Sequence, residues 1–287
     1  VKILPAIILL SLFLDSVVYA QRAELSLQMY SLQEGFDTDT PGTLDWLKSE
    51  GIRDIETSVF TKLPANELRK LLDARGMTCS SHHVRPGDLE MSMEKVIADA
   101  KALGAIQVVC PILPHKPPLS RAQVLNAAAN FNRFGETLKN AGLKFAYHNH
   151  SQDFLPADTP SLPGETFYDV LIAATQPDVV HFQLDVFWVT WGGKKAVDVI
   201  DKHGARLCSL HLKDLASDAI VNIADPKRAR PFMVQLTTGQ VDIPRVIAAA
   251  KKHGISHLVI EDESPRAALQ IPKSNKSIQE ILDRDNQ

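Results

Sequence analysis

The chain has 287 residues, 45% apolar and 23% charged, with 14 glycines, 17 prolines and a net charge of −3. That balance excludes a disordered, collagen-like or disulfide-framework chain, and the three widely spaced cysteines (Cys79, Cys110, Cys208) suit buried thiols better than a zinc knuckle. No Lys/Arg-rich run supplies the concentrated positive footprint that a phosphate backbone requires, which excludes nucleic acid as the main partner.

At the N-terminus, Lys2 precedes the apolar stretch Ile3 to Leu14, then Asp15 and a segment that ends in Ala20. The stretch is too short to span a hydrocarbon core of ~30 Å. It suits the apolar region of a secretory signal, with Val18 and Ala20 at the −3 and −1 positions of a cleavage site before Gln21. Residues 1–20 are therefore expected to be a signal segment and 21–287 one domain, exported to the periplasm or medium, with no stable membrane insertion after cleavage.

From Glu24 onward, strand-like runs alternate with amphipathic helical stretches. The strand candidates are 25–30, 52–57, 77–82, 105–110, 143–150, 179–185, 206–213 and 257–261. Between them lie helical patterns such as ANELRKLLDARG and VLNAAANFNRFGETLKNAG. Several of these end in a glycine suited to a left-handed cap: Gly51, Gly76, Gly104, Gly142, Gly204 and Gly254. Strand then helix, eight times over, predicts an α/β fold: a single (β/α)8 TIM barrel of the usual size of about 250 residues. An open doubly wound sheet would place a G-x-G-x-x-G turn after the first strand, and MYSLQEGFD has none.

Alternation within each strand then selects the residues that face the barrel interior. In 143–150 the large apolar Leu143, Phe145 and Tyr147 belong outside, which places Ala146, His148 and His150 inside. The same reading turns His181, Gln183 and Asp185, Ser209, His211 and Lys213, and His257, Val259 and Glu261 inward. On the earlier strands it selects Gln28 and Tyr30, Asp54 and Glu56, and Ser80 and His82. Polar residues thus gather at the C-terminal strand ends, where barrel enzymes keep their active sites.

Asp185, His211 and Glu261 can converge near the barrel axis. Carboxylate plus imidazole suits one divalent ion such as Mn, Mg, Co or Zn, and no thiolate joins the set. His148 and His150 are candidate acid/base groups, with Glu261 the preferred base, and Lys213 offers positive charge to a developing oxyanion. Tyr30, Glu56 and His82 are candidate substrate-binding residues, with Trp188 a flat face for a sugar ring. The irregular stretch from Asp214 to Gly239 is a candidate lid.

At these positions the chain resembles the xylose isomerase-like, sugar phosphate isomerase/epimerase barrels. YHNHSQDF (147–154) is similar to the signature YHNHDFEF, LQMYSLQE (27–34) to LQLYSLRE, and LDVFWVTWGG (184–193) to LDVYWV…GG. HLKD (211–214) is unchanged, and VIEDE (259–263) resembles VEQD. The resemblance implies a single divalent ion on Glu, Asp, His and Glu, carried here by Asp185, His211 and Glu261, with the first ligand at Asp153, one methylene shorter than the signature's Glu. Thr237 stands where the family has the first glycine of G-x-G, and Gly239 is retained.

Three functions follow as expectations. The first is a divalent-metal-dependent sugar isomerase or epimerase that moves a proton next to a sugar carbonyl through an enediolate. The second is a lyase or hydratase that eliminates from a 3-keto-glycoside. The third is a non-catalytic sugar-binding barrel whose metal site has decayed. The partner in each is a small carbohydrate. A multi-zinc phosphodiesterase of the endonuclease kind is opposed by the charge balance.

Overall fold

The structure, a computed structural model, describes residues 24–157, 164–221 and 228–284. The expected signal segment, 1–20, lies outside the described residues. Eight parallel strands form the barrel: β1 (Glu24–Gln28), β2 (Asp54–Thr57), β3 (Thr78–His83), β4 (Gln107–Cys110), β5 (Lys144–His148), β6 (Val180–Asp185), β7 (Leu207–Leu212) and, last in the chain, β10 (His257–Ile260). Each pairs with its sequence neighbours, and β1 closes the ring by pairing with both β2 and β10. Two short antiparallel strands, β8 (Asp214–Leu215) and β9 (Met233–Val234), clasp the base of the excursion expected to be a lid. Among the described residues, no helix is long and apolar enough to cross a membrane.

Most outward strand residues are large and apolar, as the alternation requires. Helix Arg121–Asn140 starts from a capping box in which Ser120 Oγ accepts from the Gln123 amide while Gln123 Oε1 accepts from the Ser120 amide. Its buried face carries Val124, Phe131, Phe134 and Leu138. The Phe131 ring centre packs 5.3 Å from Phe145 and 5.2 Å from Tyr147, fixing β5 from outside. Each fully buried aromatic or leucine side chain of this kind contributes about 1.5–3 kcal/mol.

Five of the six expected capping glycines have positive φ, but Gly204, at φ −50°, does not. It is held for a different reason: a Cβ there would lie 2.4 Å from the His253 ring.

The barrel interior is polar. At its N-terminal end Ser80 donates to Asp54 and lies 2.9 Å from His257 Nε2, while Gln107 reaches His257 Nδ1 at 3.2 Å and Ser209 at 3.4 Å. This layer closes the bottom of the barrel, so the side chains above it are reached from the C-terminal mouth.

Candidate metal centre and active site

Asp185 ends β6 and turns the chain into the short helix Val186–Trp191. Its Oδ1 accepts from the amides of Phe187 and Trp188, and its backbone is held by Asn149. That locks the carboxylate with Oδ2 facing the axis. There Oδ2 is buried without a well-aligned hydrogen bond, although Lys213 Nζ lies 2.9 Å away, His148 Nε2 3.8 Å and His211 Nδ1 4.0 Å. His211 Nδ1 is 2.7 Å from Glu261 Oε2, and Asp185, His211 and Glu261 present ligand atoms within 4.8 Å of one another.

Glu56 sits behind this group with no exposure. Its Oε1 accepts from Gln28 Nε2 at 2.7 Å and lies 2.6 Å from His211 Nε2 and 2.8 Å from His83 Nε2; its Oε2 accepts from Gln183 Nε2 at 2.7 Å. Burial would push the Glu56 carboxyl up, yet His83 and His211 hold it well below the usual carboxylate range. Burial would lower His211, but Glu56 and Glu261 raise it to about 10, so without another cation it is an imidazolium.

Lys213 is buried among carboxylates, with Nζ 2.8 Å from both Glu261 Oε2 and Glu263 Oε1. Its desolvation is overcome by Asp185, Glu261 and Glu263, which raise the ammonium well above its ordinary value. Glu261 is likewise pushed up by burial, but Lys213 and His211 bring it down to about 2. Burial leads the lowering of His148 and of His150, the latter to about 3 with Lys213 adding to it; both imidazoles are neutral.

Glu261, His148, His150 and Lys213 line one cavity of about 230 Å³ at the C-terminal mouth, together with Tyr30, Phe60, Arg230 and Glu263. Tyr30 stacks on Phe60 at 5.4 Å, and its hydroxyl accepts from Arg230 Nη2 at 2.7 Å. Arg230 comes from the 214–239 excursion and also pairs with Glu263 at 3.0 Å.

Four expected site residues stand elsewhere. Asp153 is not brought to the cluster: its Oδ2 accepts from the Tyr147 hydroxyl at 2.7 Å and the His150 amide at 2.9 Å, closing the 3-10 turn Ser151–Phe154. Glu56 does not line the cavity, because both of its oxygens are spent on the network below. Trp188 is 3% exposed, packed against His150 at 5.4 Å and beneath Lys213 at 5.7 Å, so it supports the site and leaves the open aromatic surface to Tyr30 and Phe60.

His82 points out of the barrel, where its Nδ1 meets Thr57 Oγ1 at 2.7 Å beside a separate cavity of about 490 Å³. The cause is a bulge: Ile55 pairs with Cys79 but Glu56 pairs with Ser81, so β3 carries one extra residue. Beyond it the alternation is reversed and His83 takes the inward place. The doubled histidine was the visible signal. Glu263, Arg230 and Phe60 lie beyond the strands, where no periodicity marks them.

Asp214, the last residue of HLKD, organises the loop that follows. It accepts from the amides of Leu215, Gly239 and Val241 at 2.8, 2.8 and 3.0 Å. A Cβ on Gly239 would fall 2.3 Å from the Leu215 carbonyl oxygen, which explains why this glycine is retained.

The sequence profile described as Xylose isomerase-like TIM barrel matches residues 44–283. The chain belongs to that family. Among solved structures, a sugar phosphate isomerase/epimerase from Parabacteroides distasonis superposes with a TM-score of 0.73 at 24% identity, over 90% of this chain and 96% of that one. The IOLI protein, in a crystal structure with a zinc atom bound, superposes with a TM-score of 0.70 at 15% identity, over 91% and 98%. Both likenesses show the fold. An inosose dehydratase of Clostridium tetani is 23% identical over 134 residues, 47% of this chain and 42% of that protein, so the match spans less than half of the curated relative.

The residues present fit the divalent ion that the family implies. Four carboxylates, Glu56, Asp185, Glu261 and Glu263, face Lys213, Arg230 and a protonated His211. A cation that replaced the proton on His211 Nδ1 would meet Glu261 directly and give Asp185 Oδ2 a second cationic partner beside Lys213.

Proposed function

We propose that this chain is a divalent-metal-dependent enzyme that removes the proton next to the carbonyl of a carbohydrate, and that elimination follows. The observation that carries the reading is the convergence of Asp185, His211 and Glu261 on one point at the barrel mouth, with Lys213 beside them. A bound Mn, Mg, Co or Zn would polarise the carbonyl of a substrate in the cavity. Glu261 accepts the proton at its carboxylate. Lys213, held protonated by three carboxylates, donates at the leaving oxygen, so one C–H and one C–O bond break and the C=C bond forms. Tyr30 and Phe60 offer the sugar an apolar edge.

Isomerisation or epimerisation shares the first step and is the second reading. Two observations favour elimination. Among the described residues, β5 contributes no carboxylate to the cavity, and the two carboxylates that line it, Glu261 and Glu263, both follow β10. The relative from Clostridium tetani is, by its name, a dehydratase of inosose. The N-terminal apolar stretch supports an exported protein, which favours an unphosphorylated substrate, an inosose-like polyol or a 3-keto-glycoside. Incubation with these compounds and Mn in deuterated water, followed by NMR, tests the reading. An unsaturated product supports elimination, an isomer or epimer supports the second reading, and a lack of both products and exchange rejects both.

A further inference from the structure

The side chain that β5 presents to the metal centre is His148. The hydrogen-bond network around it fixes how the ring is turned. Gln183 donates its amide nitrogen to Glu56 Oε2, 2.7 Å away. Gln183 Oε1 is thereby fixed on the other side, 3.0 Å from His148 Nδ1 and 3.0 Å from His83 Nε2. An amide oxygen can only accept, so His148 donates to it through Nδ1 and turns Nε2 toward the metal centre.

Nε2 lies 3.8 Å from Asp185 Oδ2, an oxygen with no well-aligned hydrogen bond. Both atoms belong to buried side chains, and imidazole nitrogen and carboxylate oxygen are both ligand types for a divalent ion. Without metal, the Lys213 ammonium, 2.9 Å from this Oδ2, is the cation beside the pair, and an ion seated between Nε2 and Oδ2 would join the two atoms directly. The spacing suits that purpose: two donors ~2.1 Å from one ion at tetrahedral or wider angles lie about 3.4–4.2 Å apart. Asp153, by contrast, is committed to Tyr147 and to the backbone of its own turn.

We infer that His148, through Nε2, is the fourth metal ligand of this chain, giving a centre of two imidazoles and two carboxylates: His148, Asp185, His211 and Glu261. The inference rests on the metal reading above. Glu56 and Gln183 are positioning residues in it: Glu56 orients His211 directly and His148 through Gln183, so one buried carboxylate fixes the tautomers of both imidazole ligands.

The test is electron spin echo modulation of the full chain loaded with one equivalent of Mn, which counts coordinated imidazole nitrogens without any variant. Two are expected in the parent and one in His148→Ala. In Mn titrations, His148→Ala should bind more than about tenfold more weakly, while Asp153→Asn stays within about twofold of the parent. His148→Glu should recover binding with a single nitrogen coordinated. One nitrogen in the parent, or an Asp153→Asn loss as large as that of His148→Ala, overturns the inference and leaves the metal reading standing. A parent that binds no Mn overturns both.

Discussion

Glu56 Oε1 lies 2.6 Å from His211 Nε2, at the far side of the imidazole from Glu261. A carboxylate behind a ligating histidine holds its ring and leaves the other nitrogen free for the metal. Glu56→Gln should therefore weaken metal binding ~10–100-fold while the barrel stays folded. The amide cannot accept from Gln28, Gln183 and His211 all at once, so one of these contacts is lost. Mn titration with circular dichroism checks this, and unchanged affinity would show that Glu56 is merely packed there.

Asp153 should govern pH-dependent stability and leave the metal alone. Burial pushes its carboxyl up to about 6, against lowering by the Tyr147 hydroxyl and the His150 amide. A carboxyl raised in the folded state stabilises below its unfolded value, ~3.9, and that contribution is lost as pH rises through 6, on the order of 2–3 kcal/mol. Asp153→Asn keeps an acceptor for both donors and cannot ionise. Its urea midpoint should fall less than the parent's between pH 4.5 and 8. A parallel fall in both would contradict this account.

Thr237 has φ 74°, the left-handed region, and its side chain is exposed. The conformation costs a β-branched residue ~1–2 kcal/mol, partly offset in Thr237→Gly by about 0.5–1 kcal/mol of added backbone entropy in the unfolded chain. Thr237→Gly should stabilise the protein by about 0.5–1 kcal/mol in urea unfolding.

Lys213→Met leaves Asp185, Glu261 and Glu263 without their shared ammonium. The metal-free protein should lose about 3–5 kcal/mol, the range for stranding one side of a buried ion pair. Added Mn should recover part of that loss, because a cation again faces Asp185 and Glu261. Calorimetry with and without Mn checks both halves.

Much of this was legible in the sequence because side-chain period and barrel geometry are tightly linked. The strand order followed from apolar runs separated by helices, and the inward faces of β5, β6 and β7 followed from Phe145, Leu184 and Leu210 needing helix cover. The failures have local causes. One extra residue in β3 reversed its alternation and exchanged His82 for His83. Asp153 kept its place in the signature, but its shorter side chain finds the Tyr147 hydroxyl and the His150 amide within reach and closes a turn instead. Trp188 offered a flat face for a sugar ring because it follows a strand end, yet the short helix after Asp185 packs it against His150. Arg230 reaches Tyr30 across 200 residues of sequence, a contact that only the closed barrel creates.

The central claim is that proton abstraction depends on an ion held by Asp185, His211 and Glu261. The most direct measurement is deuterium exchange at the carbon next to the carbonyl of a keto-polyol, followed by NMR while the metal-free protein is titrated with Mn. The account predicts an exchange rate that rises with occupancy of one site, saturates at one equivalent, and is lost in Asp185→Ala and His211→Ala variants that remain folded. Exchange as fast in the metal-free protein, or retained in either variant, would contradict it.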